Sequence, residues 1–219
     1  MAGIFKVTRG TKRLLAAMLI VSLLAIFVAY LYYSDLNKME DPRIIEAKEM
    51  LLKYDNLMKE AKYSKVLPLL DSAEAIFLKT PGYRQSFERG VIYNNRGAVY
   101  LSIALTEKDT GSAMTDALNK AENHFKKSIE IYKKWIKEYK DVKKEDVKEK
   151  IKKYFPKADP AFKNHNINDL ITKRVDDIML ARIETPRRMS VVYTNLGIIK
   201  RHNTDITNAL NYYEKALKL

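Results

Sequence analysis

The sequence contains no cysteine, and only seven glycines, six prolines and one tryptophan in 219 residues. Without cysteine there is no disulfide framework, no thiolate metal site and no thiol nucleophile. So few glycines and prolines leave too little turn chemistry for a β-sandwich and favour long helices. Histidine is scarce as well. His124, His165 and His202 stand far apart, and no pair has H-E-x-x-H spacing, so a helical zinc site has no basis. A glycine-rich phosphate loop and a G-x-S-x-G elbow are also missing. His124, beside the apolar Phe125, reads as a partly solvated helix residue, and Asp176-Asp177 as a solvated helix face. The expectation is a non-enzymatic protein with no catalytic residues, no cofactor and no metal.

Acid is missing from the first 33 residues, where Lys6, Arg9, Lys12 and Arg13 are the only charges. From Leu14 to Tyr33 the chain is almost wholly apolar, with Ser22 its one plainly polar residue. At about 1.5 Å per residue, twenty helical residues cover the roughly 30 Å hydrocarbon core of a bilayer. Tyr30, Tyr32 and Tyr33 gather at the far end, where an aromatic belt belongs. A cleaved signal peptide has a shorter apolar core and ends at a small-x-small site; Ala29-Tyr-Leu-Tyr-Tyr-Ser34 is a poor one. The positive-inside rule then assigns residues 1–13 to the cytoplasm, 14–33 to a transmembrane signal anchor, and 34–219 to the far side. The expected location is an inner membrane crossed once, with the C-terminal domain extracytoplasmic.

The net charge of +13 is unevenly spread. Between Lys126 and Lys157 there are 13 lysines against six acids, so this one window carries +7. Basicity this local argues against a nucleic-acid surface over the whole domain.

The remainder reads as all-α. Asp41-Pro42 predicts a helix start, with Asp as cap and Pro at the first position. Ile44, Ile45, Ala47, Met50, Leu51, Tyr54, Leu57 and Met58 give a helical stripe, and Val66, Leu69, Leu70, Ala73 and Phe77 a second, with Pro68 in its first turn or so. After Thr80-Pro81-Gly82 a longer helix runs to about Lys108, followed by a break at Asp109-Thr110-Gly111-Ser112. Then comes a helix with Ala121, Phe125 and Ser128, continuing through Ile129, Tyr132, Ile136 and Tyr139. Residues 142–166, rich in lysine with Pro156 and Pro160, read as a connecting insertion with a short amphipathic piece (Val147, Ile151, Tyr154 and Phe155) that ends at Pro156. A further helix from about Asn168 should end or kink at Pro186, before a closing helix pair.

Two segments match at an offset of 100: Val91-x-Tyr93-x-Asn95-x-Gly97 and Val191-x-Tyr193-x-Asn195-x-Gly197. The second continues to Ala209, Tyr213 and Ala216, with Gly197 and Ala209 twelve residues apart. An aromatic, Leu and Gly in one helix, then Ala, an aromatic and a small residue in the next, resembles the tetratricopeptide (TPR) repeat. The resemblance implies an α-solenoid of helix hairpins. Tyr93, Gly97, Tyr100, Ala121, Phe125 and Ser128 would form the packing seam of one repeat, and Tyr193, Leu196, Gly197, Ala209, Tyr213 and Ala216 that of another. The first has a spacing of 24 from Gly97 to Ala121, a repeat with an insertion, and residues 41–79 look like a degenerate repeat without the glycine.

In that family ligands lie against the first helix of each pair. Helical phase carries this to Asn94, Ala98 and Leu101, and to Thr194, Ile198 and Arg201. Members that clamp a peptide carboxylate place a polar residue where Ala98 and Ile198 stand, so an apolar groove, or one filled by the chain itself, is expected. The resemblance and the anchor together imply a bacterial, extracytoplasmic scaffold for protein partners, of the kind found in secretion, envelope or motility assemblies. A different reading makes the Lys-rich segment 126–157 a binding surface for anionic lipid or another polyanion, against the plainer one of a solvated face with Glu130/Lys134 and Glu149/Lys153 pairs. Solenoid ends need a polar cap, so Tyr212, Leu217 and Leu219 are expected to meet a partner or a second copy.

Overall fold

In the computed structural model, residues 9–106 and 111–219 are described, with residues 13 and 30–38 described by their backbone alone. The aromatic cluster at Tyr30, Tyr32 and Tyr33, and the break at 109–110, therefore lie outside the described side chains and residues. Among the described residues the chain is all-helical, in two compact units, Met1–Glu40 and Asp41–Leu219.

The first unit holds α1 (Arg9–Lys38), whose apolar side chains from Leu14 to Val28 are 56–65% exposed. Its stretch Arg9–Ala29 is long and apolar enough to cross a membrane.

The second unit comprises α2 (Ile45–Lys59), α3 (Tyr63–Lys79), α4 (Phe87–Thr106), α5 (Ser112–Tyr139), α6 (Lys144–Lys152), α7 (Ile167–His202) and α8 (Ile206–Leu217). Packing follows chain order: α2 on α3, α3 on α4, α4 on α5, α5 on α7 and α7 on α8, with α6 against α7 and α4 also touching α7.

The pairs α4/α5 and α7/α8 are built alike. A Cβ placed on Gly97 would stand 2.6 Å from Phe125 Cδ1, and one on Gly197 would stand 2.7 Å from Tyr213 Cδ1. Each ring thus lies on helix backbone that only glycine leaves bare. In α4/α5 the Ser128 hydroxyl donates to Gly90 O at 2.8 Å. At the corresponding place in α7/α8 the hydroxyl sits on the other helix, and Ser190 donates to Ala216 O at 2.8 Å. The longer α4/α5 pair adds a second such contact, where a Cβ on Gly90 would collide with the Tyr132 ring.

The pair α2/α3 shares its turn with α7/α8. Lys62 N–H reaches Leu57 O at 2.9 Å around Ala61, whose φ is +52°. Asp205 N–H reaches Lys200 O at 2.9 Å around Thr204, at φ +57°. Both are six-to-one closures of a helix end by a left-handed residue. Matched on that turn, Tyr54 falls at the place of Gly197 and Leu70 at that of Tyr213. The large side chain has moved to the other helix, and both Tyr54 and Leu70 are buried.

Several sequence expectations need correcting. Helix α2 begins at Ile45, not at Asp41-Pro42; Asp41 instead closes a preceding turn, accepting from Arg43 N–H at 3.0 Å and Arg43 Nε at 2.9 Å. Pro68 is the sixth residue of α3, in its second turn. Pro186 does not end a helix, because α7 runs through it for 36 residues. The missing N–H removes one backbone bond, while buried Ala181, Thr185, Met189 and Val192 hold the helix on both sides. The segment 142–166 is more than a connection. Val147, Ile151, Phe155 and Phe162 form a buried cluster with Trp135, Leu170, Ile171, Val175 and Ile178. Glu130 pairs with Lys127 at 2.8 Å and Glu149 with Lys152 at 3.7 Å, rather than with Lys134 and Lys153.

Gly197→Ala in an exposed helix would stabilise by about 1 kcal/mol. Here the added methyl meets the Tyr213 ring, so the expected result is destabilisation of about 1–3 kcal/mol. Urea unfolding of the detergent-solubilised full chain checks this, and Gly197→Ala/Tyr213→Ala should recover part of the loss.

Candidate partner-binding groove

Three helices, α2, α4 and α7, surround an open groove of about 360 Å³. Its apolar wall is Leu51 and Leu52 from α2, Phe87 and Val91 from α4, and Leu180 and Ala181 from α7. Leu52 is 74% exposed and Leu180 56%, so the groove presents large aliphatic side chains to solvent.

Its charges are matched. Lys48 reaches Asp177 at 3.1 Å, joining α2 to α7, and Lys173 also pairs with Asp177. Glu184 pairs with Arg188 at 2.5 Å, and the Arg188 guanidinium lies 5.5 Å from the Phe87 ring centroid. Burial works against the Asp177 carboxylate, but Lys48 and Lys173 outweigh it and lower its pKa. Beneath the groove, Glu88 and Arg174 form a buried ion pair, with 7% and 4% of their side chains exposed. Arg174 also lies 4.0 Å from the Tyr83 ring centroid. Burial opposes its charge, yet Glu88 more than compensates and raises the guanidinium pKa.

The nominated residues follow the same helical stripe but at another level. Phe87, Val91, Asn94, Ala98 and Leu101 step along one side of α4, and only the first two line the groove. Leu101 is 7% exposed in the main core, which removes it as an open contact. Ala98 and Ile198 pack half-buried against that core. Asn94 is half-buried, with an Oδ1 that is fully covered and has no hydrogen-bond partner. Thr194 and Arg201 are exposed, and the Thr194 hydroxyl is turned back to Ser190 O at 3.0 Å. Leu52 and Leu180 were missed because nothing in the sequence indicates which stretch of α7 lies opposite α2.

The seam residues are placed as packing, not as ligand contacts. Gly97, Ala121, Phe125, Ser128, Leu196, Gly197 and Ala209 are buried, while Tyr100, Tyr213 and Ala216 are half-buried. His124 lies between Tyr93 and Tyr100, with ring centroids 5.8 and 5.5 Å away. In the last pair Tyr212 holds the matching place and stacks on Tyr193 at 6.2 Å. Tyr212 also borders a cleft of about 210 Å³ with Lys126, Lys133 and Lys215. Leu217 and Leu219 are 88% and 51% exposed.

A second large cleft, also about 360 Å³, is walled by Trp135, Tyr139, Tyr154, Arg84, Glu138 and Arg174. Glu138 there is paired with Lys150 at 2.5 Å. Among the described residues no cluster of His, Asp and Glu is arranged to hold a metal.

Compared with protein-family models, curated proteins and solved structures, the chain matches none.

Two stability predictions come from these buried groups. Glu88→Ala leaves the Arg174 charge uncompensated and should cost about 3–5 kcal/mol, whereas Glu88→Leu/Arg174→Met should be near neutral or stabilising. Chemical denaturation of the three proteins separates the cases. Burial first, then repulsion from Arg96, pulls the His124 pKa below its ordinary 6.5. Protonation therefore favours the unfolded chain, so His124 contributes stability that is present above pH 6.5 and is lost as pH falls toward its lowered folded value. His124→Tyr, copying Tyr212, should flatten the melting temperature over that interval when followed by circular dichroism.

Proposed function

We propose that the chain is a non-enzymatic, membrane-anchored scaffold of tetratricopeptide-repeat type, holding an apolar segment of a protein partner in the α2/α4/α7 groove. The observation that carries the reading is the groove itself: aliphatic side chains exposed to solvent between helices, with the neighbouring charges already paired. A segment bearing a strong charge would have to break Lys48–Asp177 or Glu184–Arg188, whereas an apolar one covers Leu52 and Leu180. Burying such side chains contributes about 1.5–3 kcal/mol each relative to exposure. The hairpin seams at Gly97 and Gly197 support the repeat class. Helix α1 supports the anchor, and the basic residues before it support an inner-membrane orientation with the domain extracytoplasmic.

The lysine-rich surface supports a second reading. Lys133, Lys134 and Lys137 are exposed on α5 and Lys140 just past its end, and no ion pair among the described residues includes them. Such a row favours anionic headgroups, at about 1 kcal/mol per lysine near a charged surface. Vesicles of phosphatidylglycerol should retain the protein in low salt if this surface binds lipid, and Lys133→Glu/Lys137→Glu/Lys140→Glu should release it.

Two measurements test the leading reading. A periplasmic reporter fused after Leu219 should be active and a cytoplasmic one silent; the reverse pattern overturns the orientation. A photoreactive residue at Leu52 or Leu180 should crosslink one defined protein in cells, and Val91→Arg should abolish it. Equal labelling from Lys53, on the outer side of α2, would refute the groove.

A further inference from the structure

The outward face of α8 carries Ile206, Leu210 and Leu217, spaced i, i+4, i+11 and exposed by 55%, 58% and 88%. The two other second helices of the hairpins, α3 and α5, show what this face does when it is occupied. Matching Phe125 with Tyr213 puts Leu118, Glu122 and Ile129 of α5 at the places of Ile206, Leu210 and Leu217. Those three are buried, at 1%, 7% and 7% exposure. Leu118 and Ile129 lie in one cluster with Met189, Val192, Leu196 and Ile199 of α7. Glu122 meets Lys200 of α7 at 2.8 Å. Matching the shared turn puts Tyr63, Leu67 and Glu74 of α3 at the same three places. Tyr63 and Leu67 pack against the cluster that contains Ile92 and Val99 of α4, and Glu74 meets Arg96 of α4 at 2.5 Å.

The face is therefore a helix-docking face in the two other pairs, and α8 presents the equivalent positions exposed. Within the chain each junction includes a glutamate on the docking helix paired with at least one cation on the incoming helix, Glu74 with Arg89 and Arg96 and Glu122 with Lys200. In α8 both glutamate places are leucine: Leu210 stands where α5 has Glu122, and Leu217 where α3 has Glu74. An incoming helix that brought an arginine or lysine would leave that charge covered and unpaired, at substantial cost. The face consequently selects an apolar helix.

We propose that its occupant is the same face of a second copy, the two α8 helices packing about a two-fold axis near Leu210. This surface is self-complementary, being apolar along Ile206, Leu210 and Leu217 and polar at its borders through Asn211, Glu214 and Lys218, so the same patch serves both partners. A head-to-tail stack would instead bring α2 of the next copy onto α8. The solvent side of α2 is Glu46, Glu49, Lys53 and Asn56, all exposed. Covering those charges with Leu210 and Leu217 strips them of water without a partner. The same face thus distinguishes a closed pair from an open filament, and it leaves the groove between α2, α4 and α7 free in both copies.

The absence of cysteine from the chain makes the test direct. Leu210→Cys in the full-length protein, oxidised mildly in native membranes, should give a disulfide-linked dimer on a non-reducing gel, while Lys53→Cys should stay monomeric. In detergent, light scattering should give twice the 25.4 kDa chain mass, and Leu210→Glu should return it to one chain with unchanged circular dichroism, because Leu210 is exposed. A monomeric wild-type protein, equal crosslinking from both cysteines, or a dimer that survives Leu210→Glu would each overturn the proposal. If Lys53→Cys alone crosslinks, the copies meet through α2 and the proposed axis is wrong.

Discussion

Close approach of paired helices, made possible by glycine beneath an aromatic ring, is the contact on which this fold depends. Gly90 and Gly97 lie under Tyr132 and Phe125, and Gly197 under Tyr213. A bare backbone at those points lets a ring occupy the space between helix axes, and the depth of that insertion brings a serine hydroxyl within reach of the facing carbonyl. Both consequences appear in both pairs, through Ser128 in one and Ser190 in the other. Where α2/α3 lacks the glycine, Tyr54 stands at its place and Leu70 at that of the facing ring, and both are buried. The ring is thus carried by the first helix of that pair rather than by the second.

Within hairpins the contacts are mostly apolar, and between hairpins the apolar clusters are joined by ion pairs. Glu74 joins α3 to Arg89 and Arg96 of α4, Glu122 joins α5 to Lys200 of α7, and Lys48 joins α2 to Asp177 of α7. Burial opposes the charges on Glu74, Glu122 and Asp177, but their basic partners outweigh it and lower all three pKa values. Glu88 and Arg174 carry this furthest, fully inside the domain. Apolar seams are permissive about rotation and sliding, whereas an ion pair with directed hydrogen bonds is satisfied at one register. The pairs therefore fix how each hairpin sits on the next, and so where α2, α4 and α7 leave a groove.

Much of this was legible in the sequence, for a definable reason. Helix existence follows from apolar periodicity, and the close α7/α8 seam from Gly197, Ala209 and Tyr213, because those positions answer to local sterics. Helical phase puts Asn94, Ala98 and Leu101 on one side of α4, whereas the groove is lined further along that side by Phe87 and Val91, because α2 and the first half of α7 meet there. Pro186 misled for a similar reason: a lost backbone bond ends an isolated helix, but α7 is held on both sides of it by burial. In the lysine-rich segment the short amphipathic piece with Val147, Ile151 and Phe155 is legible, but Phe162 is not, because it lies beyond Pro156 and Pro160 in a separate turn and no single period links it to the others.

That segment also explains why the two halves of α7 differ. Its second half, from Ser190, pairs with α8 and meets α5 through the main core. Its first half extends the same helix past that pair, and a helix so extended needs an apolar cover of its own. Trp135, Phe155 and Phe162 supply it, packing on Leu170, Ile171 and Val175. The lysines around them remain in solvent, since only the short apolar residues between them turn inward. With one flank covered in this way, the opposite flank of the extension faces α2 and α4, and there Leu180 and Ala181 meet Leu51, Leu52 and Val91 without filling the space. The groove is thus a product of the covered extension of α7 as much as of the helix pairs. Without that extension Leu180 would not stand opposite Leu52.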